Sequence, residues 1–199
     1  MKRQHFLVTG ALAALASGAL ATGMAASGLA AAVPKPAKSA PVTAAFAQVA
    51  AASGSQVKGT VRFAQVGKML TVVAHVEGLT PGAQHGFHVH DFGDCSAPDA
   101  NSAGGHFNPD GHDHGLTDKP QRHAGDLGNL TADAKGVAHL EVTLTLATLT
   151  AKNAVLGRGL IVHAKGDDGG QPAGNAGARI GCGVIGAVAP AAASAGAAK

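Results

Sequence analysis

Aromatic side chains are almost absent from this chain of 199 residues, which contains no Trp, no Tyr and only six Phe. Charged residues are also few, at 14%, while apolar residues reach 46% and glycines number 29. The segments between the glycines are rich in Val, Thr and Leu. This composition favours a β fold with tight turns over a helical bundle, and the length suits one domain of ordinary size.

An excess of positive charge is also missing from the part that is expected to fold. The whole chain has a formal net charge of +3, but residues 42–188 contain 10 Lys and Arg against 12 Asp and Glu. Nucleic acids and anionic membranes attract strongly basic surfaces. We therefore expect no nucleic-acid partner, and no membrane partner for the mature protein.

The first residues have the pattern of a secretory signal. A short basic start at 1–5 precedes an apolar run at 6–26, and small residues follow. Residues 1–32 are therefore predicted to be a signal peptide that leads to export, although several small residues fit the cleavage rule and leave the cleavage site open. An uncleaved membrane anchor is the alternative, because an apolar run of about 20 residues can just span a bilayer.

Only two cysteines are present, Cys95 and Cys182. A CxxC redox motif or a cysteine-ligated zinc needs closer spacing or more cysteines. Disulfides form and persist in exported proteins, so we expect these two residues to be paired.

The region between a Pro, Ala and Lys linker at 33–41 and an Ala-rich tail at 189–199 reads as short strands separated by turns. Apolar and polar residues alternate with period 2, which predicts strands with one buried face. The domain at 42–188 is therefore predicted to be an all-β sandwich or flattened barrel of eight strands. The predicted strands are 43–50, 56–66, 69–77, 85–92, 127–132, 136–147, 158–164 and 178–186.

Two long segments interrupt the strands, at 93–125 and 165–177. A structureless loop of about 30 residues is uncommon in a compact domain and is usually functional. Seven of the eleven histidines lie between residues 85 and 126. Among these, His88 and His90 are predicted to point to one face of a strand, about 7 Å apart. Because imidazole suits copper and zinc, the stretch predicts a metal site.

Five motifs in this order resemble the copper/zinc superoxide dismutases, and the resemblance covers residues 43–188. The motifs read HGFHVHDFGD, GGHFNP, RHAGDLGN, GLIVHAKGDD and GNAGARIGCGVIG. The resemblance implies an eight-stranded antiparallel Greek-key β-sandwich with two long functional loops. It also implies conversion of superoxide to O2 and hydrogen peroxide by copper redox cycling, with one copper and one structural or tuning zinc in each chain.

The family pattern assigns a role to nine residues besides the cysteines. Its copper ligands are His88, His90, His106 and His163, and its zinc ligands are His106, His114, His123 and Asp126, so that His106 bridges the metals. Asp167 is implied to orient His88 and His114 by hydrogen bonds. Arg179 is implied to guide the substrate anion, and on reduction His106 is implied to take up a proton and deliver it to the second superoxide.

Some alternatives stay open. His112 forms a second H-x-H with His114, and only the family spacing favours His114 as the ligand. His75, His112 and His139 have no predicted role, and His85 is expected to pack structurally. An ordinary surface charge at Arg179 and a solvated turn at Asp167 and Asp168 are the simpler interpretations of those residues.

Two departures from the commoner eukaryotic pattern also matter. The segment between Cys95 and His106 is longer, as in bacterial members, so we expect a periplasmic location. The short loop before Arg179 leaves monomer and homodimer both open. The main functional rival is a non-catalytic copper- or zinc-binding protein of the same fold, and an adhesion module with incidental histidines is a third possibility.

Overall fold

A computed structural model describes residues 41–189 of the chain. The predicted signal peptide, nearly all of the linker and all but the first residue of the tail lie outside the described residues. The strands are β1 (Ala44–Ala51), β2 (Lys58–Val66), β3 (Met69–Glu77), β4 (Gln84–His90), β5 (Asp126–Thr131), β6 (Ala138–Leu144), β7 (Gly159–His163), β8 (Arg179–Val184) and β9 (Gly186–Ala187). A short 3-10 helix at Asn101–Ala103 is the one helical element within 41–189. No helix in this part of the chain is long and apolar enough to cross a membrane.

The strands form one antiparallel sheet in the order β5-β4-β7-β8-β1-β2-β3-β6. Several neighbours, such as β4 with β7 and β3 with β6, are far apart in sequence, as a Greek key requires. Strand β1 pairs with β2 along most of its length and with β8 at its end. Because Cα atoms of the two outer strands β5 and β6 approach within 8 Å, the sheet almost closes into a flattened barrel. The predicted all-β, eight-stranded antiparallel fold is confirmed.

The prediction of one strand over 178–186 differs from the structure, which has two strands there. At Ile185 the backbone leaves β8 and exchanges hydrogen bonds with the turn before β7, through Gly157 and Arg158. The two residues that follow pair with β1 as β9. Pairing with a distant turn is not visible in the local apolar pattern, and for this reason the break was not predicted.

The period-2 pattern predicted which side chains fill the barrel. In β2 the alternate residues Val61 and Phe63 are buried, while Arg62 between them is exposed. In β4, by contrast, every residue after the first is buried, because the strand is covered by the barrel core on one face and by the long loops on the other. The outer face of β4 therefore lies under the loops, one of which contains four of the histidines.

The disulfide between Cys95 and Cys182 is present, with a Cα–Cα distance of 5.8 Å. It joins the long loop at 91–125 to strand β8. Small apolar residues of that loop, Ala100 and Ala103, pack around the bridge and against Ile161 of β7. The predicted pairing is confirmed, and together with this packing it holds the loop against the sheet.

Candidate metal centre

Strands β4 and β7 place three imidazoles side by side under the long loop. His88 and His90 lie on the outer face of β4, with ring centroids 6.4 Å apart, close to the separation that strand rise predicts. His163 ends β7, where a register shift between Val162 and His163 offsets the pairing with β8. Its ring centroid lies 4.9 Å from that of His88.

The loop adds His106 to these three through an isolated β-bridge between His106 and His90. One nitrogen from each of the four histidines lies within 4.8 Å of the others. The end of the loop and strand β4 approach each other closely here, because a Cβ at Gly125 would collide with the Val89 carbonyl oxygen. The sheet and the loop thus bring together the four residues predicted as one ligand set.

Hydrogen bonds determine which nitrogens are available in this cluster. His88 donates from Nε2 to Asp167 (2.8 Å), His90 donates from Nδ1 to the Gly104 carbonyl (3.0 Å), and His163 donates from Nδ1 to the Gly177 carbonyl (3.1 Å). The other ring nitrogen of each of these three histidines is buried without a hydrogen-bond partner. Buried polar atoms are rarely left unpaired, so these converging lone pairs fit a metal ion.

The second cluster surrounds the carboxylate of Asp126. Its Oδ1 lies 3.1 Å from Nδ1 of His106, 3.1 Å from Nδ1 of His114 and 3.2 Å from Nδ1 of His123. Its Oδ2 accepts backbone N–H groups from Gly115 and His123, which fix the carboxylate. Three nitrogens and one oxygen at these distances form the closed donor set that suits zinc.

A single buried carboxylate connects the two clusters. Asp167 accepts hydrogen bonds from His88 of the first set at 2.8 Å and from His114 of the second at 2.9 Å. Its own backbone is held by Asn129, whose side chain bonds both the N–H and the carbonyl of Asp167. Such carboxylates commonly orient metal-binding imidazoles, which is the role that the family resemblance implies for Asp167.

Arg179, the first residue of β8, lines the mouth of the cavity above these histidines. The cavity is about 820 Å³ and is also bordered by His90, His106 and His163. The guanidinium donates hydrogen bonds to the carbonyl oxygens of Ala100 (2.8 Å) and Gly104 (2.7 Å). The loop therefore holds this cation at the opening.

Comparison with known proteins agrees with this geometry. A family model described as "Copper/zinc superoxide dismutase (SODC)" matches residues 57–185. The chain belongs to the copper/zinc superoxide dismutase family. A relative named superoxide dismutase [Cu-Zn] 2, from Mesembryanthemum crystallinum, is 46% identical over 140 residues, which are 66% of this chain and 88% of the relative. The family uses copper and zinc, and the two donor sets described above fit one ion each.

In this member of the superoxide dismutase family, histidine pKa values are lowered in the first donor set, whereas the pKa of His114 is raised in the second. Burial lowers the pKa of His88 to about 4, that of His163 to about 3 and that of His90 to about 2. These imidazoles are therefore neutral near pH 7, the form that binds a metal.

In the second set, hydrogen bonds between carboxylates and histidines have a larger effect on the pKa values than burial has. Burial by itself would lower the pKa of His114, but hydrogen bonds to Asp126 and Asp167 outweigh it and raise that pKa to about 9. Burial would raise the pKa of Asp126, yet the surrounding histidines hold it far below its usual range. Asp126 is thus ionised and attracts a cation.

The family spacing favoured His114 over His112, and the structure brings His114 into the site. His112 instead lies outside both clusters, where its backbone bonds the side chain of Asn108. His85 is fully buried and its Nδ1 donates to the His163 carbonyl (2.8 Å), a structural contact of the kind expected. Asp168 bonds Asn175 in an exposed turn.

Sequence reasoning missed the groups that act through the backbone. The Gly104 carbonyl accepts from both His90 and Arg179, and the side chain of Gln171 exchanges two hydrogen bonds with the backbone of His114. Every residue has a backbone carbonyl, so the residue type does not reveal which carbonyl accepts these hydrogen bonds. Only the two consecutive glycines of the GGHFNP motif indicate that the backbone approaches closely there.

Proposed function

We propose that this chain dismutates superoxide in the cavity below Arg179, with copper held by His88, His90, His106 and His163 and zinc held by His106, His114, His123 and Asp126. The observation that supports this most strongly is the membership of His106 in both clusters. Its Nδ1 faces Asp126, which leaves Nε2 for the imidazole set. As an oxidoreductase of this family, the chain would then hold two adjacent ions with different donor chemistry.

The chemistry of the two ions follows from their ligands. Bound copper would supply the one-electron couple of the net reaction, in which two superoxide ions and two protons become O2 and hydrogen peroxide. The N3O set around Asp126 is closed, so it suits an ion with a structural and tuning role.

His106 is the residue that we assign to proton delivery. It borders the cavity, where a small anion has access, and its Nδ1 is fixed on the zinc side. A proton held at Nε2 therefore points toward the substrate position. Delivery of this proton to the second superoxide, together with a second proton from solvent, lets the reduced product leave as neutral hydrogen peroxide.

Arg179 is assigned to attract and position the substrate anion. A guanidinium does not lose its proton near neutral pH and donates in a planar fork. Two of its N–H groups are occupied by loop carbonyls, which keeps the charge beside the histidines rather than in solvent.

The exported location also belongs to this proposal. The signal pattern of residues 1–32 supports export to a bacterial periplasm, and a disulfide is the chemistry that such a compartment permits. N-terminal sequencing of the protein recovered from the periplasmic fraction tests both the export and the cleavage site. Recovery in the cytoplasm with residues 1–32 intact would contradict it.

The decisive experiment is superoxide turnover with copper and zinc counts on the purified mature protein. We expect one copper, one zinc and turnover near the diffusion ceiling that is known for superoxide dismutase. Full metal occupancy without turnover would favour the non-catalytic metal-binding protein instead. Light scattering on the same sample decides between monomer and homodimer.

A further inference from the structure

Two histidines without a part in the metal centre face each other on the outside of the barrel. His75 of β3 and His139 of β6 are directly paired across the two strands. Nδ1 of His75 lies 3.3 Å from each ring nitrogen of His139, and the ring centroids are 4.5 Å apart. The function proposed above uses neither residue.

This separation is the one that a shared metal ion requires. Zinc binds imidazole nitrogen at about 2.0–2.1 Å, so two such ligands at a tetrahedral angle lie about 3.3 Å apart. A rotation of the exposed His139 ring that turns one lone pair toward Nδ1 of His75 places one ion between them. Either nitrogen of His139 can serve, because both are at the same distance from His75.

A carboxylate determines which ring nitrogen of His75 is the hydrogen-bond donor. Nε2 of His75 donates to Glu77 Oε1 at 3.0 Å, which leaves the lone pair on Nδ1, the atom that faces His139. Glu77 is itself held by Lys58, whose Nζ is 3.3 Å from Oε2. In the metal centre Asp167 does the same for His88, and carboxylates of this kind typically accompany metal-binding histidines.

The position is open to an ion from solution. The side chains of His75 and Glu77 are each 41% exposed, and His139 is exposed. Water can therefore complete the coordination that two imidazoles leave unfilled.

We propose that His75 and His139 form a further metal site on the outer sheet face, specific for borderline divalent ions and best suited to Zn²⁺, with Glu77 as its positioning residue. The site is separate from the copper and zinc positions of the cavity. The bound ion exchanges with solution, because the protein supplies only two of its ligands.

The test uses the mature protein already loaded with one copper and one zinc, titrated with Zn²⁺ by calorimetry. We expect a further equivalent to bind, and we expect His139→Ala to abolish that binding. Thr143→Ala is the matched control, because it shortens an exposed side chain on the same face of β6 and should leave the titration unchanged. Superoxide turnover should be the same in all three proteins, so the outcome is independent of the proposed activity.

A second pair of variants tests the carboxylate. Glu77→Ala should weaken this binding by roughly 10–100-fold, because the tautomer of His75 is no longer fixed. Glu141→Ala removes an equal charge from the neighbouring position of the same face and should have a smaller effect. Equal effects of the two variants would overturn the role of Glu77.

The site itself is overturned by either of two results. One is that the loaded parent protein takes up no further Zn²⁺ at millimolar concentration. The other is that His139→Ala retains the extra equivalent with unchanged affinity. Circular dichroism of the variants confirms that the exposed substitution leaves the fold intact.

Discussion

At the scale of single residues, one shared imidazole and one shared carboxylate connect the two donor sets. His106 contributes to both sets, and Asp167 orients one histidine in each. Substitutions at the unshared ligands should therefore separate the two metals, whereas changes at the shared residues should disturb both.

The division of ligands predicts different losses for two alanine variants. His123→Ala removes a ligand of the Asp126 set only and should lose zinc while it retains copper and some activity. His163→Ala removes a ligand of the imidazole set only and should lose activity while zinc remains. Metal counts on the purified variants decide the matter; loss of copper alone from His123→Ala would refute the division.

Arg179→Ala should keep both metals but slow superoxide turnover by about fivefold to thirtyfold. Unit charges about 5 Å apart interact by roughly 3 kcal/mol at an effective dielectric near 20, and screening at an open mouth leaves about a third of that. A loss of about 1 kcal/mol is about fivefold in rate, and the loss of orientation adds to it. Pulse radiolysis at several salt concentrations measures the rate and its ionic-strength dependence.

Arg179→Lys is the control for this prediction. Lysine preserves the charge but not the planar fork that bonds Ala100 and Gly104, so its rate should lie between the other two. A parent-like rate and parent-like salt dependence in Arg179→Ala would instead support an ordinary surface charge.

At the scale of elements, the long loop depends on its attachments rather than on pairing of its own. The bridge from Cys95 to Cys182 spans 87 residues of sequence and should stabilise the fold by about 4.6 kcal/mol on the chain-entropy model. Reduction should loosen residues 93–125 before the barrel strands. Hydrogen exchange of the reduced protein checks this, and uniform loss of protection across the strands would contradict it.

In the loop at 165–177, a glycine leaves the space that the Asp167 carboxylate occupies. Gly174 has φ +73°, and a Cβ there would collide with the Asp167 carboxylate and approach Nε2 of His114. Gly174→Ala should therefore displace Asp167 and weaken binding of both metals by roughly 10–100-fold, measured by competition with a chelator.

Gly157→Ala, in the turn before β7, is the matched control for the backbone strain of that substitution. Gly157 has φ +79°, so alanine there has the same backbone strain of about 1–2 kcal/mol, but nothing lies within 4 Å of its Cβ position. It should lower the free energy of unfolding without changing metal affinity. Equal loss of metal affinity in both variants would show that strain alone is responsible.

At the scale of the whole molecule, the stability of the metal-free protein should peak near pH 6.5. The folded pKa values of His88, His90 and His163 lie below the unfolded value of about 6.5. As the pH falls from about 6.5 toward the folded pKa of each residue, that residue therefore lowers the free energy of unfolding by about 1.4 kcal/mol per pH unit. The pKa of His114 is raised to about 9, so its stabilisation is complete below pH 6.5 and is lost as the pH rises to about 9.

Urea unfolding of the metal-free protein between pH 4 and pH 10 measures this profile. The depressed pKa of Asp126 adds a further loss only below about pH 4, where the unfolded carboxyl takes up its proton. The metal-loaded protein is the control and should show a flatter profile above pH 5, because its ligand nitrogens are no longer free to titrate. A metal-free profile that rises steadily with pH would contradict the prediction.

The fold class and the types of donor atom follow from the amino-acid sequence. Alternation in β2 and β3 predicts which side is buried, because strand geometry converts period 2 into two faces. The spacing of His88 and His90 predicts two imidazoles on one face for the same reason. The family motifs extended this local information to the other ligands.

Features that depend on contacts between distant segments become visible in the folded chain. The register of β3 against β6 places His75 beside His139, and the loop path brings His114 but not His112 to Asp126. The Gly104 carbonyl joins His90 and Arg179. Local sequence patterns describe neighbours along one strand or turn, whereas strand register, loop path and backbone carbonyls are set by the packing of the complete chain.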